Sequence, residues 1–283
     1  MIRIVEVGPR DGLQNEARTI PTEDKVAFVD ALSKAGLQEI EAGAFVSPEW
    51  VPQLADSGEV FRRIHRAPGV TYSALVPNER GLDRALEARA DKIAVFTAAS
   101  ETFNQKNINC SIAESLRRFA PVLDRARSLK LPVRGYVSTA FWCPYEGKVP
   151  PEKARDVVVA LVDAGVEEVS IGDTIGKATA AEVRDLLSRV LPLLGSVRPA
   201  MHFHDTYGQA IENVLESWRA GIRTFDCSVG GIGGCPYAPG APGNVGTEAV
   251  VRALRDAGAT VDVDLTALEG ARRTAFAALG RNS

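Results

Sequence analysis

Short runs of apolar and β-branched residues alternate along this chain with longer stretches whose apolar positions recur three and four apart. The first pattern suits buried strands of a parallel sheet; the second suits helices that lay one apolar face on that sheet. Strands are expected over 2–7, 39–42, 70–76, 92–97, 133–138, 168–172, 200–204 and 224–229. Thr22 is expected to cap a helix with Glu23 and Asp24 in its first turn, an apolar face of Phe28, Val29 and Leu32, and Gly36 at its end. Asn78 is expected to cap another. Ser111-Ile112-Ala113-Glu114 and Thr179-Ala180-Ala181-Glu182 read as capping boxes. Pro151 opens a helix that Gly165 ends, and further helices are expected over 247–257 and 265–279. Strands that are mostly followed by helices predict an α/β fold, a (β/α)8 TIM barrel, as one domain over 1–283. A doubly wound open sheet is the competing architecture; the first strand lacks the GxGxxG that often follows it there.

Composition changes this picture little. The chain has 283 residues, 45% hydrophobic and 24% charged, with a formal net charge of −3. Lys and Arg are scattered, so nothing points to nucleic acid. No run of about 18 apolar residues suggests a membrane span. Residues 1–7 read as a strand and not as a targeting segment. Cys110, Cys143, Cys227 and Cys235 have neither CxxC nor zinc-like spacing, which favours a reducing cytoplasm.

Barrel enzymes carry their chemistry at the C-terminal ends of strands, and the polar residues collect there. The first strand runs into Arg10, Asp11 and Gln14; Glu41 ends the second; the fifth carries Arg134 and Tyr136; the sixth runs into Asp173 and Thr174. His202 and His204, two of only three histidines, are two apart on the seventh strand and share one face. Taken alone, the pair is more readily read as two histidines satisfied by buried carboxylates than as a metal site. With Asp11 and Asn244 supplying oxygen ligands, it becomes a site for Mg2+ or Mn2+ rather than structural zinc. Arg10 suits a carboxylate or an enolate oxygen. The segment 230–244 holds six glycines and three prolines in fifteen residues. It reads as a flap over the barrel mouth that could bring Cys235 to a substrate for acid–base work.

These segments resemble the 3-hydroxy-3-methylglutaryl-CoA lyase family of metal-dependent TIM-barrel enzymes. The matching stretches are EVGPRDGLQNE (6–16), IEAGAFVSPEWVPQ (40–53), KNINCSIAES (106–115), VRGYVS (133–138), CPYEGK (143–148), IGDTIG (171–176), HFHDTYGQA (202–210) and GGCPYAPGAPGNVGTE (233–248). The resemblance implies that Asp11, His202, His204 and Asn244 hold the cation, that Arg10 stabilises an enolate, that Glu41 lies in the active site, and that Cys235 sits on a catalytic flap. It places Asp173 near substrate and Lys106 and Asn107 near CoA, and it implies a homodimer. The implied reaction cleaves 3-hydroxy-3-methylglutaryl-CoA to acetoacetate and acetyl-CoA, with Asp11 as first candidate for the base.

The sequence departs from the family pattern at Ala44, where a small hydroxyl residue is usual, and at Ala17, where lysine is common and Arg18 could substitute. Phe141-Trp142 is bulkier than usual, which keeps open a substrate with a longer 3-alkyl group, such as an isohexenyl compound; packing of Trp142 against a loop is the alternative. A Claisen-type condensing enzyme and a metal-free binding protein on the same fold are the other rivals.

Overall fold

A computed structural model describes residues 1–233 and 243–281. Eight parallel strands close into a barrel: β1 (Arg3–Glu6), β2 (Glu39–Ala44), β3 (Thr71–Leu75), β4 (Lys92–Ala98), β5 (Val133–Ser138), β6 (Glu168–Asp173), β7 (Arg198–Phe203) and β8 (Thr224–Cys227). Each strand pairs with its sequence neighbours, and β8 closes on β1 through Arg3↔Thr224 to Glu6↔Cys227. This is the expected (β/α)8 TIM barrel.

The core between sheet and helices follows the strand alternation. Ile4, Val95, Val137, Ile171, Met201, Phe203 and Phe225 are buried under the helical layer. The alternate positions, including Glu41, Arg134, Tyr136, Ser170 and His202, turn into the lumen, so charged side chains fill much of it. Among the described residues no helix is long and apolar enough to cross a membrane.

Several local expectations change. The helix Thr22–Leu32 has Pro21, not Thr22, at its N-cap position, and the Thr22 hydroxyl instead donates to Asp56 Oδ2 at 2.8 Å. Thr179 and Glu182 form the full reciprocal capping box. Ser111 accepts from Glu114 N–H at 3.1 Å, but Glu114 turns to Arg118, so that box is half made. Helices at Ser57–Arg63, Glu101–Ile108 and Ala210–Arg219 were not anticipated. Trp142–Cys143 pairs with Gly147–Lys148 as a small hairpin.

Candidate active site

A cavity of about 1030 Å³ opens at the C-terminal end of the barrel and is lined by Arg10, Asp11, Gln14, Tyr136, Thr174, His202 and His204. The Arg10–Asp11 pair sits on a π-helical turn, Gly8–Gly12, directly after β1. The Val7 carbonyl accepts from the N–H groups of Arg10, Asp11 and Gly12 at 3.1, 2.8 and 3.2 Å, which winds the turn tightly and aims both side chains inward.

Arg10 is buried and fixed on both flanks. Its Nε donates to Glu41 Oε2 at 2.8 Å, its Nη2 lies at an ion-pair distance of 2.7 Å from the same oxygen, and its Nη1 donates to Asp11 Oδ1 at 2.5 Å. Tyr136 adds its hydroxyl to Glu41 Oε2 at 3.2 Å and its ring against the guanidinium, 5.5 Å from the centroid. Two of the five guanidinium donors are thus hydrogen-bonded to these carboxylates, and the close ion pair with Glu41 helps hold the fork rigid. Burial pulls the Arg10 pKa down, but Glu41 and Asp11 outweigh it and lift it above its ordinary value. Burial raises the Glu41 carboxyl against the pull of Arg10. Burial also works to raise Asp11, yet Arg10 and the two histidines bring it well below the usual carboxylate range.

His202 and His204 face the same cavity, with ring centroids 5.2 Å apart. One ligand atom each from Asp11, His202 and His204 lies within 4.8 Å of the others. His202 Nδ1 stands 3.4 Å from Asp226 Oδ2, an ion-pair distance that turns Nε2 of the ring towards the cavity. Burial opposes protonation of His202; Asp226 and Asp11 outweigh it and raise its pKa. Burial and then His202 hold His204 down to about 4, a neutral imidazole at neutral pH.

Asn244 completes the cluster from the segment after β8. Its Nδ2 donates to Asp11 Oδ2 at 2.9 Å and to the Ile232 carbonyl at 3.2 Å. Its Oδ1 is buried without a hydrogen-bond partner, as are Nδ1 of His204 and Oε1 of Glu41. Buried acceptors are rarely left so, and an unpaired amide oxygen beside two imidazoles and a carboxylate fits a hard divalent cation. Gly233 packs against this amide with φ +108°, and a Cβ there would lie 2.7 Å from Asn244 Nδ2.

Gln14, Thr174 and Asn107 line the cavity as expected. Lys106 instead lies over the Tyr145 ring at 4.8 Å. Arg134 does not line the cavity. It sits one layer lower, donating to Asp226 at 2.5 Å and pairing with Glu168 at 3.1 Å, so its role is to neutralise buried carboxylates. Asp173 is also withdrawn: it accepts from the N–H groups of Lys177 and Ala178 at 3.1 and 2.9 Å and holds the loop after β6. Burial raises its pKa to about 6 against those bonds. Glu41 acts on the cavity through Arg10 and Tyr136.

Cys235 falls within 234–242, outside the described residues, as does most of the expected flap. Trp142 is not part of the cavity wall; its Nε1 donates to Glu182 at 3.3 Å and Lys177 lies 4.4 Å over its ring. Its ring thus packs beside the Lys148 and Lys177 side chains. Arg18 does not line the cavity where Ala17 does. Ala44 joins a buried apolar cluster with Leu54, Leu75, Ala94 and Tyr136. Asp226 and Ser170 escaped the sequence analysis. The signal was there, since a charged residue amid apolar ones on a buried strand points into the lumen.

The family model described as HMGL-like matches residues 1–274. A Pseudomonas aeruginosa protein described as 3-hydroxy-3-isohexenylglutaryl-CoA/hydroxy-methylglutaryl-CoA lyase is 52% identical over 282 residues, covering 100% of this chain and 94% of that one. The mitochondrial hydroxymethylglutaryl-CoA lyase of Bos taurus is 49% identical over 282 residues, covering 100% of this chain and 87% of its own. The solved structure of an HMG-CoA lyase from Acinetobacter baumannii, in complex with coenzyme A and 3-methylmalate, superposes with a TM-score of 0.94. It is 38% identical and covers 100% of this chain and 92% of that one.

Proposed function

The chain belongs to the HMGL-like family, and from that membership and the cavity chemistry we propose a metal-dependent carbon–carbon lyase that cleaves 3-hydroxy-3-methylglutaryl-CoA to acetoacetate and acetyl-CoA. The observation that carries this reading is the convergence of Asp11, His202 and His204 within 4.8 Å, with the fixed Arg10 cation bonded to the same carboxylate.

Asp11, His202, His204 and Asn244 would hold the ion, Mg2+ or Mn2+. Such an ion supplies a Lewis acid and a template that orients and acidifies the tertiary hydroxyl of the substrate. The chain's own groups do the rest. The hydroxyl proton passes to a base as the carbon–carbon bond breaks; the hydroxyl carbon becomes the ketone of acetoacetate, and the bonding pair moves into the thioester enolate. Asp11, held low by Arg10, takes up only a proton that is already acidic. The guanidinium N–H groups that Glu41 and Asp11 leave over are available for the enolate oxygen, at a position fixed before substrate arrives. A proton then returns to the enolate carbon, with Cys235 the donor in this proposal. Gln14, Thr174 and Tyr136 contact the acyl group, and Asn107 the CoA portion.

The test is turnover with Mg2+ or Mn2+ and its loss on chelation. A fully metal-loaded protein that releases neither acetoacetate nor acetyl-CoA would overturn the substrate assignment.

A second reading, a longer 3-alkyl substrate, draws support from the apolar side of the cavity, where Val46, Leu75, Phe96 and Phe103 line it. The double name of the Pseudomonas aeruginosa relative points the same way. A kcat/KM series over thioesters of increasing 3-alkyl length decides between the two. A cytoplasmic homodimer with 1–283 as one catalytic domain completes the proposal; sedimentation checks the assembly.

A further inference from the structure

Glu6 is the last residue of β1, fully buried, and takes no part in the chemistry above. Its Oε1 accepts from the N–H groups of Gly8 and Val229, both at 2.9 Å, and its Oε2 accepts from the Thr247 hydroxyl at 2.7 Å. The three donors belong to three segments. Gly8 opens the turn that carries Arg10 and Asp11. Val229 leads from β8 towards the glycine-rich segment. Thr247 follows Asn244 by three residues and starts the next helix.

No cation pairs with this carboxylate among the described residues; besides these donors it feels the Glu248 carboxylate. Burying a carboxyl without a cation is costly, and the cost is offset only where several donors converge on it. The backbone leaves room for it: a Cβ on Gly8 would lie 2.6 Å from Glu6 Oε1. At the metal cluster the first and third of these segments meet again, where Asn244 Nδ2 donates to Asp11 Oδ2. Ser228 ties the second segment to the third, accepting from Thr247 N–H at 3.1 Å and donating to the Val245 carbonyl at 3.0 Å.

We propose that Glu6 is a positioning residue that sets the separation of Asp11 from Asn244, and thereby the affinity of the site for its divalent cation. This rests on the reading of that site as a metal centre.

The experiment titrates Mn2+ into substrate-free protein by calorimetry and measures kcat and KM separately. Glu6→Ala removes all three bonds and is expected to raise the Mn2+ Kd by about 10–100-fold and to lower kcat at saturating Mn2+, with KM changed by less than about twofold. Glu6→Gln keeps a carbonyl on the two N–H groups, and the Thr247 hydroxyl can turn to accept from the new amide. It is expected to return the Kd to within about threefold of wild type. A folded Glu6→Ala with wild-type Mn2+ affinity overturns the proposal, as does a Glu6→Gln as weak as Glu6→Ala. Should Glu6→Ala fail to fold, Thr247→Val removes one bond; unchanged Mn2+ affinity in that variant overturns the proposal equally. Wild-type protein that binds no Mn2+ sinks the metal-centre reading instead, so the two failures are distinct.

Discussion

At the lower end of the barrel lumen Lys92 reaches Glu39 and Glu168 at 3.0 and 2.8 Å, and Arg134 reaches Glu168 and Asp226 at 3.1 and 2.5 Å. At the upper end Arg10 alone, among the described residues, serves both Asp11 and Glu41. Both regions are buried and both are made of carboxylates and cations. The lower set is closed in charge: Arg3 adds a further cation to Glu39 at 2.5 Å, and each carboxylate has a cation within about hydrogen-bond reach. The upper set is short of positive charge and keeps unpaired acceptors on Asn244, His204 and Glu41. A closed set stabilises a fold; an open one stores the capacity to bind a cation. The difference lies in the balance of charge and not in residue type, since the lower set too has buried atoms without a hydrogen-bond partner, at Glu39 Oε1 and Glu168 Oε2.

Removing Arg10 should produce the largest effect. Arg10→Met is expected to lower kcat by about 100–1000-fold, while Mn2+ affinity holds or tightens because a nearby positive charge is gone. Calorimetry beside steady-state rates checks it, and a loss of metal affinity as large as the loss of rate would merge the roles separated here. His204→Ala comes next, with Mn2+ affinity down by at least about 100-fold, as expected when a direct ligand is lost rather than a group behind it. Retention of metal would remove His204 from the ligand set.

The lower end should answer differently. Lys92→Met leaves Glu39 and Glu168 short of a cation and is expected to cost about 3–5 kcal/mol of stability, read by denaturant unfolding. The folded fraction should bind Mn2+ within about twofold of wild type, because Lys92 pairs with Glu39 and Glu168 and with no member of the metal cluster. A parallel loss of affinity would dissolve the contrast between the two ends.

A pH effect separates them further. Burial raises Glu6 from 4.5 to about 8. A carboxyl with a raised folded pKa contributes stability that is fully present below its unfolded pKa and is lost as pH rises through the folded value. Wild-type stability should therefore decline between about pH 4.5 and 8 through this group, and Glu6→Gln should lack that part of the decline in pH-dependent unfolding. The smallest effect belongs to Trp142. Trp142→Ala should alter the relative rates on short and long 3-alkyl thioesters by less than about twofold, since the ring lies outside the cavity wall; a clear shift in chain-length preference would restore it as a specificity residue.

Strand positions, the barrel and the shared face of His202 and His204 were all legible in the sequence, because alternation along a strand is a local property. The chain order also fixed which residues follow which strand, which placed Arg10, Asp11, Gln14 and Thr174 at the mouth. Depth was not legible. Arg134 and Tyr136 share a face two residues apart, yet one closes the lower ion network while the other reaches the cavity. Strand tilt and the register of β5 against β6 set that height, and no local pattern encodes it. Asp173 shows the same limit through parity, since the last residue of β6 turned away from the lumen to hold its own loop. Nor could spacing reveal that Asp226 backs His202, or that Glu6 joins three segments, one of them 241 positions away. The sequence determined the fold and the kinds of groups at the mouth. Barrel closure decided which of those groups meet, which are satisfied and which stay open, because only closure brings β1 and β8 side by side.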